Sequence, residues 1–308
     1  MGLELHHSPV MVPEVLDALK VQPGGRYIDA TMGEGGHTQA ILSASQPGGQ
    51  VLGIDADHEA VAVARNRLDI YRDAVRIELG NFRDLRQIAL SCRAVPVHGV
   101  LMDLGVSSLQ LNAETRGFSF RRPDPLDMRF SLEQQVTAGD IVNSYRQEDL
   151  ANLIYRFGEE RQSRSIAAAI VKARPFQNSL ELATTVASAT RGRRGRLRPA
   201  TRTFQALRIA VNDELGALES ALGQAVSLLG LGGRLVVMSY HSLEDRIVKN
   251  FMRRESVDCI CPPATPGCLC AHLATIRQDT KRAIQSPASE VQKNRRSRSA
   301  RLRWAERI

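Results

Sequence analysis

The sequence predicts an α/β protein: a doubly wound, mostly parallel sheet with a helical insertion after its fourth strand. Three observations carry this. Short apolar runs alternate with amphipathic stretches over the first hundred residues, several of these runs end in a carboxylate, and after Asp103 no strand-like run returns until Gly233-Arg-Leu-Val-Val-Met-Ser239. A chain of 308 residues has room for one large core and a smaller module.

The first strand covers 27 to 30 and enters the segment Asp29-Ala-Thr-Met-Gly-Glu-Gly-Gly-His37. Gly33, Gly35 and Gly36 permit positive φ and close backbone approach, and they open a helix over 36 to 45 whose first N–H groups lack intrahelical acceptors. The second strand, 50 to 54, delivers Asp55 twenty residues beyond Gly35, about where a carboxylate meets the ribose hydroxyls of a nucleoside. A helix over 58 to 68, a strand over 75 to 79, a helix over 83 to 91 and a strand over 98 to 103 complete the alternating part. Helices near 147 to 157, 160 to 173 and 179 to 189 fill the insertion. One long helix from about 203 to 229 leads back, with Leu207, Ala210, Val211, Leu215, Leu218, Ala221 and Leu222 at helical spacing. Residues 1–112 and 206–308 are thus expected to form one domain and 113–205 the other.

The ligand follows from the turn. A dinucleotide fingerprint starting at Gly33 would need glycine where Thr38 stands, and no Walker Gly-Lys-Ser/Thr ending is present. A carboxylate such as Asp29 beside the turn repels phosphates and suits a ligand bearing an ammonium and a sulfonium. S-adenosylmethionine (SAM) fits best. Asp103 ends the fourth strand, where an open α/β sheet places its chemistry. An acceptor there could hold the N–H of an exocyclic amine and turn its lone pair toward a methyl donor, so Asp103 is the candidate catalytic residue. Strand five ends in Ser239-Tyr-His-Ser-Leu-Glu-Asp-Arg246 on the same rim, with Ser242 read as a helix N-cap before an acidic first turn. A Ser-His-Asp hydrolase is disfavoured, because no G-x-S-x-G elbow occurs.

Charge points to the partner. The net charge of +8 is concentrated in Arg191, Arg193, Arg194, Arg196, Arg198 and Arg202, and in Lys293, Arg295, Arg296, Arg298, Arg301, Arg303 and Arg307. Both clusters read as phosphate-contact surfaces of a nucleic-acid-binding protein. No apolar run approaches the roughly 18 residues of a membrane span, and the N-terminus lacks a basic and an apolar signal region. A cytoplasmic location without membrane contact is expected. Cys259, Cys261, Cys268 and Cys270 form two C-x-C pairs. C-x-C leaves less backbone to wrap a tetrahedral ion than C-x-x-C does, so plain loop packing is favoured over zinc or redox thiols, and no metal is assigned.

Nearly the whole chain resembles the bacterial 16S rRNA cytosine-N4 methyltransferase (RsmH, or MraW) family. The likeness rests on His7-Ser-Pro-Val-Met, Asp29 to His37, Asp103-Leu-Gly-Val-Ser-Ser, Arg116-Gly-Phe-Ser-Phe, Pro125-Leu-Asp-Met-Arg, Gly158-Glu-Glu-Arg, Pro199-Ala-Thr-Arg-Thr-Phe-Gln-Ala, His241-Ser-Leu-Glu-Asp-Arg-Ile-Val-Lys and Arg298-Ser-Ala-Arg-Leu-Arg, all in one order. It implies a class I SAM-dependent methyltransferase fold and methylation of N4 of one cytidine in the decoding region of 16S rRNA, within the small ribosomal subunit. It also implies SAM contacts at Gly35, Gly36, His37, Asp55, Phe82, Asp103 and Gln110. The chain departs from the family pattern at Met32, where Phe is usual, Leu109 for Pro, Tyr240 for Phe and Arg295 for Pro. A homodimer is admitted, since the sequence does not fix the oligomeric state. The competing reading is a non-catalytic RNA-binding assembly factor on the same scaffold, and the intact glycine turn opposes it.

Overall fold

The computed structural model describes residues 9–190, 200–262, 267–278 and 282–308. Eight strands form one sheet: β1 (Arg26–Asp29), β2 (Gln50–Asp55), β3 (Val75–Leu79), β4 (Val97–Asp103), β5 (Leu229–Ser239), β6 (Ile276–Arg277), β7 (Ile284–Gln285) and β8 (Arg301–Arg307). The order is β3-β2-β1-β4-β5-β8-β6, with β7 also pairing β8. β1 to β5 run parallel, whereas β8 lies antiparallel to β5. The fold is therefore the doubly wound, mostly parallel α/β sheet that the alternation predicts. Strand order reverses between β1 and β4, which makes their carboxyl ends the switch point where ligands bind.

Side-chain alternation along the strands divides two cores. Ile28, Leu52, Ile54, Val100, Met102, Leu235 and Val237 face the helices Leu85–Ser91, Glu214–Leu228 and Ser242–Glu255. Tyr27, Val51, Leu101, Val236, Met238 and Leu302 face the helices Val12–Leu19, Gly36–Ala44 and His58–Leu68. Each of the buried aliphatic side chains among them contributes roughly 1.5–3 kcal/mol. No described helix is long and apolar enough to cross a membrane.

The chain divides into two compact units, Met1–Gly105 with Leu215–Ile308, and Val106–Glu214. The second has its own core of Leu150, Ile154, Ile166, Ile170, Leu182 and their neighbours, gathered by helices that include Gln147–Gly158, Ser163–Ala173, Ser179–Ala189 and Ala200–Asn212. Two of its motifs lock together. Met128 N–H donates to Arg116 O at 2.8 Å, and a Cβ on Gly117, at φ +70°, would stand 2.0 Å from Pro125 O. Asn212 then clamps the second motif, its Oδ1 accepting from Phe130 N–H and its amide donating to Met128 O, both at 2.7 Å.

Two expectations need correction. The long helix is two helices, Ala200–Asn212 and Glu214–Leu228, broken where Asp213 takes φ 45°. Its apolar positions serve different cores, Leu207 and Val211 in the second unit and Leu218, Ala221 and Leu222 in the first. The basic C-terminal tail is partly a strand. Arg303 is 7% exposed and ion-paired to Asp245 at 2.7 Å, Arg301 reaches the same carboxylate at 3.1 Å, and Arg307 donates to Val226 O at 2.6 Å. These three arginines hold β8 in place, while Lys293, Arg295, Arg296 and Arg298 remain exposed. Of the other basic cluster, Arg191, Arg193, Arg194, Arg196 and Arg198 lie outside the described residues, and Arg202 pairs with Glu160 at 3.5 Å.

Candidate active site at the strand ends

The carboxyl ends of β1, β2 and β4 bring together Asp29, Asp55 and Asp103, and the chemistry of each differs. Asp29 is 1% exposed and turned into the protein, where it accepts from the Thr38 hydroxyl at 2.7 Å and from Thr31 N–H at 3.3 Å. Burial pushes its carboxyl up, against the opposing pull of His37 and these hydrogen bonds. The sequence reading sets Asp29 against the ligand. The structure corrects this: Asp29 braces the turn and the first helical turn from beneath.

Asp55 shapes the turn from the next strand. Its Oδ2 accepts from Gly33 N–H at 2.7 Å and its Oδ1 from Asp57 N–H at 2.9 Å. Burial raises its carboxyl to about 6 despite these two backbone donors. Each oxygen keeps a second lone pair, so two adjacent hydroxyls can still donate to it. Gly35 adopts φ +82° as the N-cap of Gly36–Ala44, a conformation open to glycine at little cost. Gly36 has another reason to lack a side chain, because a Cβ there would sit 3.0 Å from Pro9 Cγ. Phe82 follows β3 in a short 3-10 turn capped by Asn81, whose Oδ1 accepts from Arg83 N–H at 2.9 Å. Its ring is half-buried against the core below, which suits one aromatic face for stacking a planar ligand.

Asp103 stands at the end of β4 with its side chain 22% exposed. Three neighbours fix it. Its N–H donates to Thr31 Oγ1 at 2.6 Å, the Tyr240 hydroxyl donates to its Oδ1 at 2.8 Å, and His37 Nδ1 lies 3.6 Å from its Oδ2. His37 Nε2 is 2.8 Å from Val10 O, and since a carbonyl only accepts, Nε2 carries the proton. Burial raises Asp103 to about 6, opposed by His37 and the Tyr240 hydrogen bond. Tyr240 in turn is pushed well above its ordinary value, by burial and then by Asp103, so its hydroxyl keeps its proton and donates.

Gln110 belongs to the second unit. It is 5% exposed and closes a capping box on Ser108–Asn112, its N–H donating to Ser107 Oγ at 3.1 Å and its Oε1 accepting from Ser107 N–H at 3.0 Å. At the end of β5 the cap is His241 rather than Ser242. His241 Nδ1 accepts from Glu244 N–H at 3.4 Å, and Glu244 Oε2 accepts from Tyr240 N–H at 2.8 Å.

Sequence reasoning missed the roles of Tyr240, Thr31 and Val10. Tyr240 is marked in the sequence only as an unusual residue at a strand end, and Thr31 and Val10 stand inside recognisable motifs that do not reveal their contacts, since both contacts depend on tertiary approach. The resulting site offers a glycine turn, a carboxylate able to take two hydroxyls, an aromatic face and a second, partly exposed carboxylate near neutrality. That set can hold a nucleoside and accept an N–H from a second substrate.

The sequence is similar to that of known proteins. The model of the MraW methylase family matches residues 4–308. A protein of Dehalococcoides mccartyi named Ribosomal RNA small subunit methyltransferase H is 53% identical over 306 residues, covering 99% of this chain and 88% of that protein. Its namesake in Thermomicrobium roseum is 52% identical over 309 residues, covering 99% and 95%. The solved structure of a rRNA methylase from Streptococcus thermophilus aligns with a TM-score of 0.42 at 12% identity, over 96% of this chain and 95% of that one.

Proposed function

The chain belongs to the MraW methylase family, and from that premise we propose that it methylates N4 of one cytidine in the decoding region of 16S rRNA, with SAM as methyl donor. The observation that carries the reading is Asp103: a partly exposed carboxylate at the switch point, fixed by Tyr240 and Thr31. The residues present fit SAM. Asp55 would accept from the ribose hydroxyls, Phe82 would stack the adenine, and Gly35, Gly36 and His37 would line the turn. Gln110 is proposed as a further contact on the sequence match alone. Bound SAM supplies a methyl carbon activated by its sulfonium.

Asp103 does the orienting. Its free acceptor capacity takes an N4–H of cytosine, which turns the nitrogen lone pair toward the donor in line. Tyr240 holds Oδ1 so that the carboxylate cannot rotate away. As the N4–C bond forms and the C–S bond breaks, nitrogen becomes cationic, and the ionised Asp103 is placed to receive the departing proton. A duplex would hide the amine, so the target cytosine must be single-stranded or drawn out of its stack. The second unit, with residues 113–205 as its greater part, is proposed as the rRNA-recognition domain, and the reaction is assigned to the cytoplasm on small ribosomal subunits.

Incubating the protein with methyl-labelled SAM and small subunits that lack the modification tests this reading. After digestion to nucleosides, label is expected in N4-methylcytidine. Label in a different nucleoside, or none in rRNA, overturns it.

A further inference from the structure

Among its described residues, the segment between Ser242–Glu255 and β6 has no core of its own. None of those from Arg253 to Thr275 is buried, and Leu269 and Leu273 are 85% and 72% exposed. Burial among the described residues therefore does not account for the convergence of its cysteines. The Sγ atoms of Cys259, Cys261, Cys268 and Cys270 all lie within 4.8 Å of one another. Cys268 and Cys270 are 3.6 Å apart and Cys259 and Cys270 3.9 Å. All four are free thiols. An ion at the Zn–S distance of about 2.3 Å holds tetrahedral sulfurs about 3.8 Å apart, so these separations match one ion at the centre of the group.

The two C-x-C pairs also clasp each other. Ile260, the middle residue of the first, donates its N–H to Cys270 Sγ at 3.4 Å, and Leu269, the middle residue of the second, donates to Cys261 Sγ at 3.3 Å. Such backbone donors orient thiolates and spread the negative charge of a four-sulfur site. This answers the objection from spacing: neither pair wraps the ion alone, because each supplies one side of it. The loop is closed at its base by Thr275 N–H to Glu255 O at 2.9 Å and Ala274 N–H to Asp258 Oδ1 at 3.1 Å. His272 Nε2 is engaged with Arg254 O at 3.0 Å, which keeps the imidazole out of the sulfur set.

We propose that Cys259, Cys261, Cys268 and Cys270 bind one zinc ion as a closed, four-thiolate structural site. With every position filled by the protein, no place is left for a reactive water, so the ion orders the loop and takes no part in methyl transfer. The site is independent of the methylation reading.

The full-length chain, produced with zinc in the medium and purified under reducing conditions without chelators, is expected to carry about one zinc per chain by elemental analysis. The Cys268→Ser, Cys270→Ser variant should retain about a tenth of that or less, while Cys92→Ser keeps it all. Should the double variant fail to fold, cobalt decides on the unaltered chain: Co²⁺ should give the charge-transfer and visible bands of tetrahedral thiolate. Absence of zinc together with absence of that spectrum overturns the proposal. So does a zinc content unchanged in the double variant.

Discussion

A carboxylate that orients an amine must be reachable and ionised, and Asp103 meets both demands at a cost to the fold. An isolated aspartate titrates near 3.8, whereas burial lifts Asp103 to about 6. Between those values the folded chain holds a proton that the unfolded chain has released. The penalty is therefore absent below about 3.8 and complete above about 6, and its full size is at most about 3 kcal/mol. Asparagine keeps the shape and can still accept from the Tyr240 hydroxyl. Asp103→Asn should thus abolish methyl transfer yet be more stable than the natural chain at pH 8 by up to about 3 kcal/mol, a gain that vanishes by pH 4. Urea denaturation at the two pH values measures this. A variant less stable at pH 8 would mean that Asp103 is ionised without penalty. The natural chain's transfer rate should fall as pH drops through about 6, where the acceptor takes up its proton.

At the level of elements, what the sequence shows and hides has a physical reason. β1, β2 and β4 are legible because their central positions are buried on both faces, so they read as apolar runs with a carboxylate marking the rim, whereas β3, at the end of the strand order, is only half-buried and is read from its place in the alternation. Asp55 and Asp103 are read from those strand ends, whereas Phe82, after β3, is named only by the family resemblance. β8 was hidden because Arg301-Leu-Arg-Trp-Ala-Glu-Arg307 scatters arginine through a strand. Its charges are absorbed by partners distant in sequence: Arg303 by Asp245, and Glu306 by Arg234 at 3.2 Å and Arg277 at 2.7 Å. Arg234 also stacks over the Trp304 ring at 4.2 Å. Burial pushes the Asp245 carboxyl up, but Arg303 and Arg301 hold it below its ordinary value. Asp245→Ala would remove the carboxylate paired with the buried Arg303 guanidinium at 2.7 Å, and a loss of about 3–5 kcal/mol is expected. Adding Arg303→Met should recover most of it, because an apolar side chain needs no partner. If the single variant unfolds in urea like the natural chain, the pair does not hold β8.

Across the whole molecule, the net charge of +8 is informative only after the arginines used by the fold are set aside. Arg301, Arg303 and Arg307 are committed to β8, and Arg202 to Glu160, so none of them is a simple phosphate contact. Lys293, Arg295 and Arg298 are different, being exposed on the short helical segments Ala288–Lys293 and Arg295–Ser299 that precede β8. They lie on helical backbone that leads directly into a strand of the main sheet, and so form a basic edge. If roughly six phosphates are neutralised in the complex, affinity for rRNA should fall by about two to three decades between 50 and 200 mM salt. Replacing Lys293, Arg295 and Arg298 together by alanine should make the slope of log affinity against log salt shallower by about 2, with little change in thermal stability. Filter binding over a salt series reads the slope directly, and Asp103→Asn, which removes none of these cations, serves as the comparison. A slope that the triple variant leaves unchanged would remove this edge from the rRNA contact and move the burden to other surfaces of the chain.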